Sequence, residues 1–297
     1  MSSSEPLRLA VVIVAFRCEA MLRDCLLSLR EHSPARPMTV HVVDNDSGDG
    51  TAEMVGREFP EVILRRNAAN LGFGAANNLA IAADSSPQVL FLNPDTRITA
   101  GALDLLCGLL DERPELAMVG PRLIREDGSF DHAAKRSFPT VLGSIGHFTG
   151  AGQRSGASGA LAQYRAPDLD EHQSGLVDAV NGAFMLVRRR ALDDVGLFDE
   201  GYWMYMEDLD LNYRLAEAGW KTWYEAGATV VHLKAGTSGP VRSLKLNRAF
   251  HYGMLRFYRK HYASSRNPIV NTVVYLGIGL KFVASAALAV IRRRQTS

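Results

Sequence analysis

The sequence is poor in cysteine and carries almost no net charge. Its three cysteines, Cys18, Cys25 and Cys107, have neither CxxC spacing nor a ligand pattern with histidine, so they indicate buried thiols in a reducing compartment. The formal net charge of +1 provides no field that would attract nucleic acid, and the basic residues form no long patch in the body of the chain. These absences argue against a disulfide scaffold and against a nucleic-acid partner.

Neither a secretory signal nor internal repeats can be recognised in the amino-acid sequence. Residues 1–6 contain neither the basic nor the apolar stretch of a signal peptide, so we expect the folded body to stay in the cytoplasm. With 47% hydrophobic and 22% charged residues, a chain of 297 residues can bury a full core. We therefore expect one large domain, or a domain with an appendage.

The first half of the sequence does contain a regular alternation of short apolar runs and amphipathic segments. Strands are predicted at 9–15, 40–43, 62–64 and 89–92, with a helix in each interval. Such alternation is typical of a mostly parallel sheet with helices on both faces and right-handed crossovers. The expected fold class is α/β, and the expected unit binds a nucleotide.

The fourth of these strands points most directly to a function. Its four apolar residues suit a strand that is buried on both faces, and Asn93, Pro94 and Asp95 end it. Ligands of open α/β sheets bind at the carboxyl ends of the strands, so Asp95 is predicted to lie at a ligand site. Asn93 and Asp95 could instead form an Asx-type turn that leads into the next helix.

The second half of the sequence is less regular. We predict further strands at 117–123, 177–187, 221–224 and 228–231, helices at 101–113, 189–195 and 243–262, and covering loops at 128–170. Glu207 and Asp208 form an adjacent acidic pair at the start of another predicted helix, directly after an aromatic cluster. Acids in a first helical turn also favour the helix dipole, which is a purely structural alternative.

Four features occur together in one order along the chain. They are the Asp-rich loop 44–51 after the second strand, Asn-Pro-Asp at 93–95, the pair Glu207-Asp208, and His232 at the end of a late strand. Together they resemble the family 2 glycosyltransferases, which have the GT-A fold. The resemblance covers about residues 9–239.

Two further segments narrow this resemblance to one branch of the family. Asn-Leu-Gly-Phe-Gly at 70–74 and Tyr-Met-Glu-Asp-Leu-Asp-Leu at 205–211 are similar to segments of bacterial rhamnosyltransferases of the WbbL type. The chain departs from the family's Asp-x-Asp motif, because Asn93 stands in place of the first acid. Asp95 is then the one charged ligand that this motif supplies.

The resemblance implies a donor site for a nucleotide sugar. Its residues would be Ala15, Phe16, Asp44, Asn70, Asn93 and Asp95. It also implies that Asp95 and His232 hold Mg²⁺ or Mn²⁺, which would stabilise negative charge on the departing diphosphate. Considered alone, Asp44 could be a turn acid and His232 an ordinary loop histidine.

The resemblance further implies an inverting transfer to an alcohol, which requires one general base opposite the leaving group. Asp208 is the predicted base, and Glu207 would orient the acceptor. Trp203 and Tyr205 offer aromatic faces on which an acceptor sugar could stack.

The expected reaction moves L-rhamnose from its dTDP donor to a polyprenyl-diphosphate-linked saccharide in cell-envelope assembly. Other donors, namely UDP-galactofuranose, UDP-N-acetylglucosamine or UDP-glucose, are alternatives within the same fold. A non-catalytic scaffold that binds nucleotide sugars is an alternative of another class.

A long apolar segment, residues 268–291, lies near the end of the sequence. It is long enough to cross a bilayer core of about 30 Å. Basic residues lie on both sides of it and Lys281 lies within it, which disfavours a span. We expect a catalytic domain at 1–239 and a helical region at 240–297 that lies in or dips into the inner face of the cytoplasmic membrane. A true span and a soluble core helix are the alternatives.

Overall fold

The structure is a computed structural model that describes residues 8–139, 169–234 and 243–295, with side chains up to residue 289. Its strands are β1 (Leu9–Ala15), β2 (Met38–Asp44), β3 (Ile63–Arg66), β4 (Gln88–Leu92), β5 (Thr96–Ile98), β6 (Leu116–Ile124), β7 (Lys135–Arg136), β8 (Gly175–Val177), β9 (Ala179–Val180), β10 (Phe184–Arg188) and β11 (Lys221–His232). Its helices are α1 (Glu19–Glu31), α2 (Thr51–Glu58), α3 (Phe73–Ile81), α4 (Ala102–Glu112), α5 (Arg189–Val195), α6 (Glu207–Glu217), α7 (Leu244–His261) and α8 (Pro268–Gln295).

In these ranges, nine strands form one sheet whose two halves differ in strand direction. β3, β2, β1 and β4 are parallel neighbours, as the alternation of strands and helices predicts. β10 then runs antiparallel between β4 and β6, while β11 is parallel to β6 and antiparallel to β5 and β8. The α/β class is confirmed, and the expected parallel arrangement applies to the first half of the sheet.

The segment predicted as a single strand at 177–187 is divided into three strands. Between β9 and β10, Asn181 Oδ1 accepts a hydrogen bond from Ala183 N at 2.7 Å, which forms an Asx-type turn. β9 pairs with β7 in a separate two-stranded sheet. The two short strands predicted at 221–224 and 228–231 are instead one strand, β11, with an irregularity between Glu225 and Thr229.

Apolar side chains cover both faces of the sheet. Along β1, Val11 and Ile13 belong to the layer that contains α1, α2 and α4. Ala10 and Val12 belong to the opposite layer, which contains α3, α5 and α6. Successive side chains of a strand point to opposite faces, so a continuous apolar run such as β1 is buried on both sides.

The three cysteines lie in this core, as predicted. Cys18, Cys25 and Cys107 are buried, and burial raises the pKa of each thiol to about 12. Most of the predicted covering loop at 128–170, and the predicted domain boundary at 239–240, lie outside the described residues.

Gly120 in β6 allows β9 to pack closely against the sheet. A Cβ atom at residue 120 would lie 2.6 Å from Val180 Cγ1, whereas a Cβ at Gly108 in α4 would meet nothing within 4 Å. We expect Gly120→Ala to lower the free energy of unfolding by about 1–3 kcal/mol through overpacking. The matched change Gly108→Ala should raise it by about 0.5–1 kcal/mol, because alanine is the better helix former. Urea unfolding measures both, and effects of the same sign would contradict this account of Gly120.

Candidate active site

The carboxyl ends of β1 and β2 bring several of the predicted donor residues together. Asp44 ends β2 and pairs in register with Ala15 at the end of β1, so Phe16 follows directly beside it. The Asp44 side chain is buried, and its Oδ1 has no hydrogen-bond partner among the described residues. A buried carboxylate oxygen is costly to leave unpaired, which suits Asp44 to accept a hydrogen bond from a ligand.

Asn45 organises the loop above this edge, a role that the sequence did not indicate. Its Oδ1 accepts hydrogen bonds from Asn67 Nδ2 at 3.1 Å and Leu71 N at 3.0 Å. Its Nδ2 donates to Asn70 Oδ1 and to Gly72 O, each at 3.2 Å. Asn70 Oδ1 also accepts from Gly72 N at 3.0 Å, so in this arrangement the Asn70 side chain supports the loop.

Gly72 connects this loop to the aromatic cluster before α6. Its φ is +89°, and a Cβ would lie 2.1 Å from the carbonyl oxygen of Trp203. Phe73 N donates to that same oxygen at 3.0 Å, and the Trp203 indole donates to Asn70 O at 3.2 Å. Lys245 Nζ lies over the indole, 4.0 Å from the ring centroid. One face of Trp203 is therefore covered, and the predicted stacking of a sugar would use the other.

Tyr205 and Met206 turn the chain into α6 through an unusual backbone conformation. Their φ values are 70° and 73°, in the left-handed region that residues other than glycine rarely occupy. The Tyr205 ring packs edge-on against Phe250 of α7, with centroids 5.8 Å apart. Backbone strain of this kind persists where the surrounding structure enforces it, and here it determines where α6 begins.

Asp208 lies in the first turn of α6 and is oriented by three donors. Arg136 Nη2 donates to Oδ2 at 2.5 Å, and Gly182 N donates to the same oxygen at 3.1 Å. Leu209 N donates to Oδ1 at 2.8 Å. Arg136 belongs to β7, in the region that the sequence indicated only as loops, and it was not among the predicted site residues.

Glu207 has a different environment from its neighbour. Its side chain is buried, and Oε2 has no hydrogen-bond partner in the described part of the chain. Burial is the main cause that raises the pKa of Glu207, and the nearby Asp208 raises it further. Two adjacent carboxyl groups whose environments differ in this way are suited to different chemical roles.

His232 lies beside Asp95, as the resemblance implied. β11 pairs with β5 so that His232 is opposite Thr96, and Leu233 N donates to the Asp95 carbonyl at 2.9 Å. His232 Nε2 then lies 3.6 Å from Asp95 Oδ1, and its Nδ1 lies 3.1 Å from Asp131 Oδ2. Burial alone disfavours the charged imidazole, but the bonds to Asp131 and Asp95 outweigh it and raise the pKa of His232 to about 9.

The Asp95–His232 pair fits two ligands of one divalent cation. Ligand atoms at ~2.1 Å from an octahedral ion lie about 3 Å from one another, so a small movement from 3.6 Å would suffice. Among the described residues, no group of three or more His, Cys, Asp or Glu side chains could hold a metal ion. A cation at this pair would have coordination positions open to further oxygen ligands, such as water or the phosphates of a bound donor. Asn93, which directly follows β4 and is half-buried, adds no charge to this cation site.

The family model for glycosyl transferase family 2 matches residues 10–196. The chain belongs to this family. It is thus a glycosyltransferase, and it is 34% identical over 242 residues to the N-acetylglucosaminyl-diphospho-decaprenol L-rhamnosyltransferase of Mycobacterium tuberculosis, with 78% of each chain covered. It is 32% identical over 171 residues to rhamnosyltransferase WbbL of Escherichia coli K12, covering 54% of this chain and 60% of that protein.

Solved structures of other glycosyltransferases share the fold. The mannosyltransferase PcManGT from Pyrobaculum calidifontis, in complex with GDP-Man and Mn²⁺, aligns with a TM-score of 0.59 and 16% identity, covering 99% of this chain and 77% of that chain. GalNAc-T7 with UDP, GalNAc and Mn²⁺ aligns with a TM-score of 0.60 and 15% identity over 86% of this chain. This chain spans about half (48%) of the GalNAc-T7 chain. The expected GT-A fold is confirmed.

The raised pKa of Glu207 gives a prediction about stability. The folded state holds the Glu207 proton above its ordinary pKa of 4.5, so the free energy of unfolding should fall as the pH rises beyond that value. Glu207→Gln keeps the shape of the side chain and removes its ionisation. In urea unfolding, the free energy of unfolding of Glu207→Gln relative to that of the parent should therefore rise between about pH 5 and about pH 7.5. Glu31→Gln at the exposed end of α1 is the control and should follow the parent. A constant difference across this range would show that Glu207 titrates alike in the folded and unfolded states.

Proposed function

We propose that this glycosyltransferase is inverting and metal-dependent, and that it transfers L-rhamnose from dTDP-L-rhamnose to a polyprenyl-diphosphate-linked saccharide in cell-envelope assembly. The similarity to the mycobacterial relative carries the proposal, because 34% identity extends over 78% of both chains. By its name, that relative acts on N-acetylglucosaminyl-diphospho-decaprenol. The similarity to WbbL supports the same sugar.

The donor would bind at the carboxyl ends of β1, β2 and β4. Asp44 Oδ1, which has no hydrogen-bond partner in the part of the chain that the structure describes, would accept a hydrogen bond from the nucleotide base, with Ala15 and Phe16 beside it. Asp95 and His232 would hold Mg²⁺ or Mn²⁺. When bound, such an ion supplies Lewis-acid stabilisation of the diphosphate leaving group. The Mn²⁺ in the PcManGT and GalNAc-T7 structures supports this choice of cofactor.

The acceptor would be activated at the N-terminus of α6. Arg136 and Gly182 both donate to Oδ2 of Asp208. Oδ1 accepts one hydrogen bond from Leu209 N, and its second lone pair would take the proton of the attacking hydroxyl. Glu207, whose raised pKa favours the protonated form, could donate a hydrogen bond that orients the acceptor. Trp203 and Tyr205 precede these acids and would supply faces for sugar stacking.

Replacing the base tests the reaction itself. Asp208→Asn keeps the shape and removes basicity, so we expect single-turnover transfer from dTDP-L-rhamnose to a synthetic lipid-linked acceptor to fall by at least ~10²-fold. Glu207→Gln should cost less, because successive helical residues point about 100° apart and the amide can still donate a hydrogen bond. Donor and acceptor binding are measured separately. Near-parental rates for Asp208→Asn together with a collapse for Glu207→Gln would move the base to Glu207.

Replacing the acidic ligand tests the cation site. Asp95→Ala removes the charged ligand from the pair, so Mn²⁺ should no longer increase the affinity for dTDP in calorimetry. Asp24→Ala is a matched control, since Asp24 is paired with Arg97 outside the pair Asp95–His232. Unchanged Mn²⁺-dependent affinity in Asp95→Ala would exclude Asp95 as a ligand.

We also propose that α8 places the enzyme on the inner face of the cytoplasmic membrane. Within α8, residues Pro268–Ala289 are apolar enough to cross a bilayer, and only 11% of this window is buried. One face of the helix packs along α7, where Val274 and Ile278 contact Tyr258 and Ser285 hydrogen-bonds Asn247 at 3.0 Å. A span would draw the charged surface of α7 into the bilayer with it, which is costly.

The opposite face of α8 is exposed and apolar. Its residues are Ile269, Val273, Leu276, Leu280, Val283 and Leu288, each more than half exposed. A helix fixed on one side and apolar on the other is suited to lie in the interface of a bilayer. That position would also bring the site to a lipid-linked acceptor.

Charges on this exposed face test its role. Leu276→Asp with Leu280→Asp should abolish flotation with vesicles that contain phosphatidylglycerol, while the fold is retained because neither side chain is in the core. Leu27→Asp with Leu105→Asp is the control, since these leucines are similarly apolar and exposed on α1 and α4. Unchanged flotation would refute a lipid contact for this face.

A further inference from the structure

Asp131 is a fully buried carboxylate behind the proposed cation ligands. It follows the bridge between Ile124 and Phe130, and it is 0% exposed. Oδ2 lies 3.1 Å from His232 Nδ1, while Oδ1 accepts hydrogen bonds from Lys234 Nζ at 2.6 Å and from Ala133 N at 3.0 Å. Its two oxygens therefore hold the imidazole and the chain after β11 at the same time.

The contact between Asp131 and His232 determines which ring nitrogen faces Asp95. An imidazole that donates from Nδ1 to a carboxylate presents Nε2 on the opposite side of the ring, and this oxygen also limits rotation of the ring. Nε2 is the atom that lies 3.6 Å from Asp95 Oδ1. Such carboxylate partners typically change the metal affinity of a histidine site by 10–100-fold.

The charge of Asp131 is largely balanced by Lys234. The ammonium lies 2.6 Å from Oδ1, so Asp131 and Lys234 together carry no net charge. Replacing both residues by neutral ones therefore leaves the net charge of the protein unchanged. This makes a comparison at constant charge possible.

We propose that Asp131 is a positioning residue of this glycosyltransferase, which fixes the His232 imidazole so that Nε2 and the Asp95 carboxylate share one divalent cation. The inference rests on the cation site of the proposed function. It adds to that site a residue that touches neither the donor nor the cation.

The test compares two double variants of equal charge. Asp131→Asn with Lys234→Met and Asp131→Ala with Lys234→Met both replace the ion pair by neutral groups, but only asparagine keeps an oxygen that can accept from Nδ1. Mn²⁺ binding to each protein in saturating dTDP is measured by calorimetry. The asparagine variant should remain within a few-fold of the parent, which has the same net charge, and the alanine variant should bind Mn²⁺ about 10–100-fold more weakly.

The same two double variants are also made in a His232→Ala background, which completes a mutant cycle between residues 131 and 232. If Asp131 acts through the imidazole, the asparagine and alanine variants should bind Mn²⁺ equally there. Equal affinities with His232 present, or a difference that persists without it, would overturn the inference. A parent protein that shows no Mn²⁺-dependent binding of dTDP would overturn the cation site as well. Thermal unfolding checks each fold, and Asp131→Leu, which has no acceptor and is close to asparagine in size, replaces the alanine change should that variant not fold.

Discussion

Hydrogen bonds made by the backbone of two consecutive residues, Gly182 and Ala183, connect the donor edge of the sheet to the proposed base. Ala183 O accepts from Asn93 N at 2.9 Å, and Gly182 N donates to Asp208 Oδ2 at 3.1 Å. The turn between β9 and β10 therefore bonds on one side to the segment that ends in Asp95 and on the other to the first turn of α6. Group transfer requires reacting atoms held within about 3–3.5 Å, so the separation of the two acids must be controlled by rigid elements. The antiparallel course of β10 beside β4 supplies that control.

The adjacent acids in α6 lie in two different environments, which fits the two roles proposed for them. Asp208 is oriented by a guanidinium and two backbone amides, whereas Glu207 is buried without a described partner for Oε2. A proton acceptor and a hydrogen-bond donor are both needed around an attacking hydroxyl. In the proposed mechanism, the difference in environment, rather than the residue type, separates the roles of the two acids.

The same helix is also joined to the proposed membrane region. Asp210 is fully buried and binds Arg214 within α6 and both Lys260 and His261 of α7. Although burial opposes its ionisation, these partners hold the pKa of Asp210 well below its usual range. α6 and α7 are therefore linked through the buried Asp210 carboxylate, and α8 packs on α7. Placement of α8 on a bilayer would thus fix the orientation of the helix that carries Asp208.

Sequence alone determined the features that depend on local pattern. Continuous apolar runs that end in polar residues located β1, β2 and β4, and with them Asp44 and Asp95, because burial on both faces and strand termination are local properties. Ordered motifs indicated Glu207, Asp208 and His232, and the family that they resemble is confirmed. The apolar length of α8 was also evident from composition.

Only the tertiary structure decided the partners of these residues. Arg136 reaches Asp208 across 72 positions of the chain, and Asp131 reaches His232 across 101. The reversed direction of β10 and the packing of α8 along α7 are equally non-local. Periodicity reports which face of an element is buried but not which element covers it, so contacts of this kind follow from the folded chain alone.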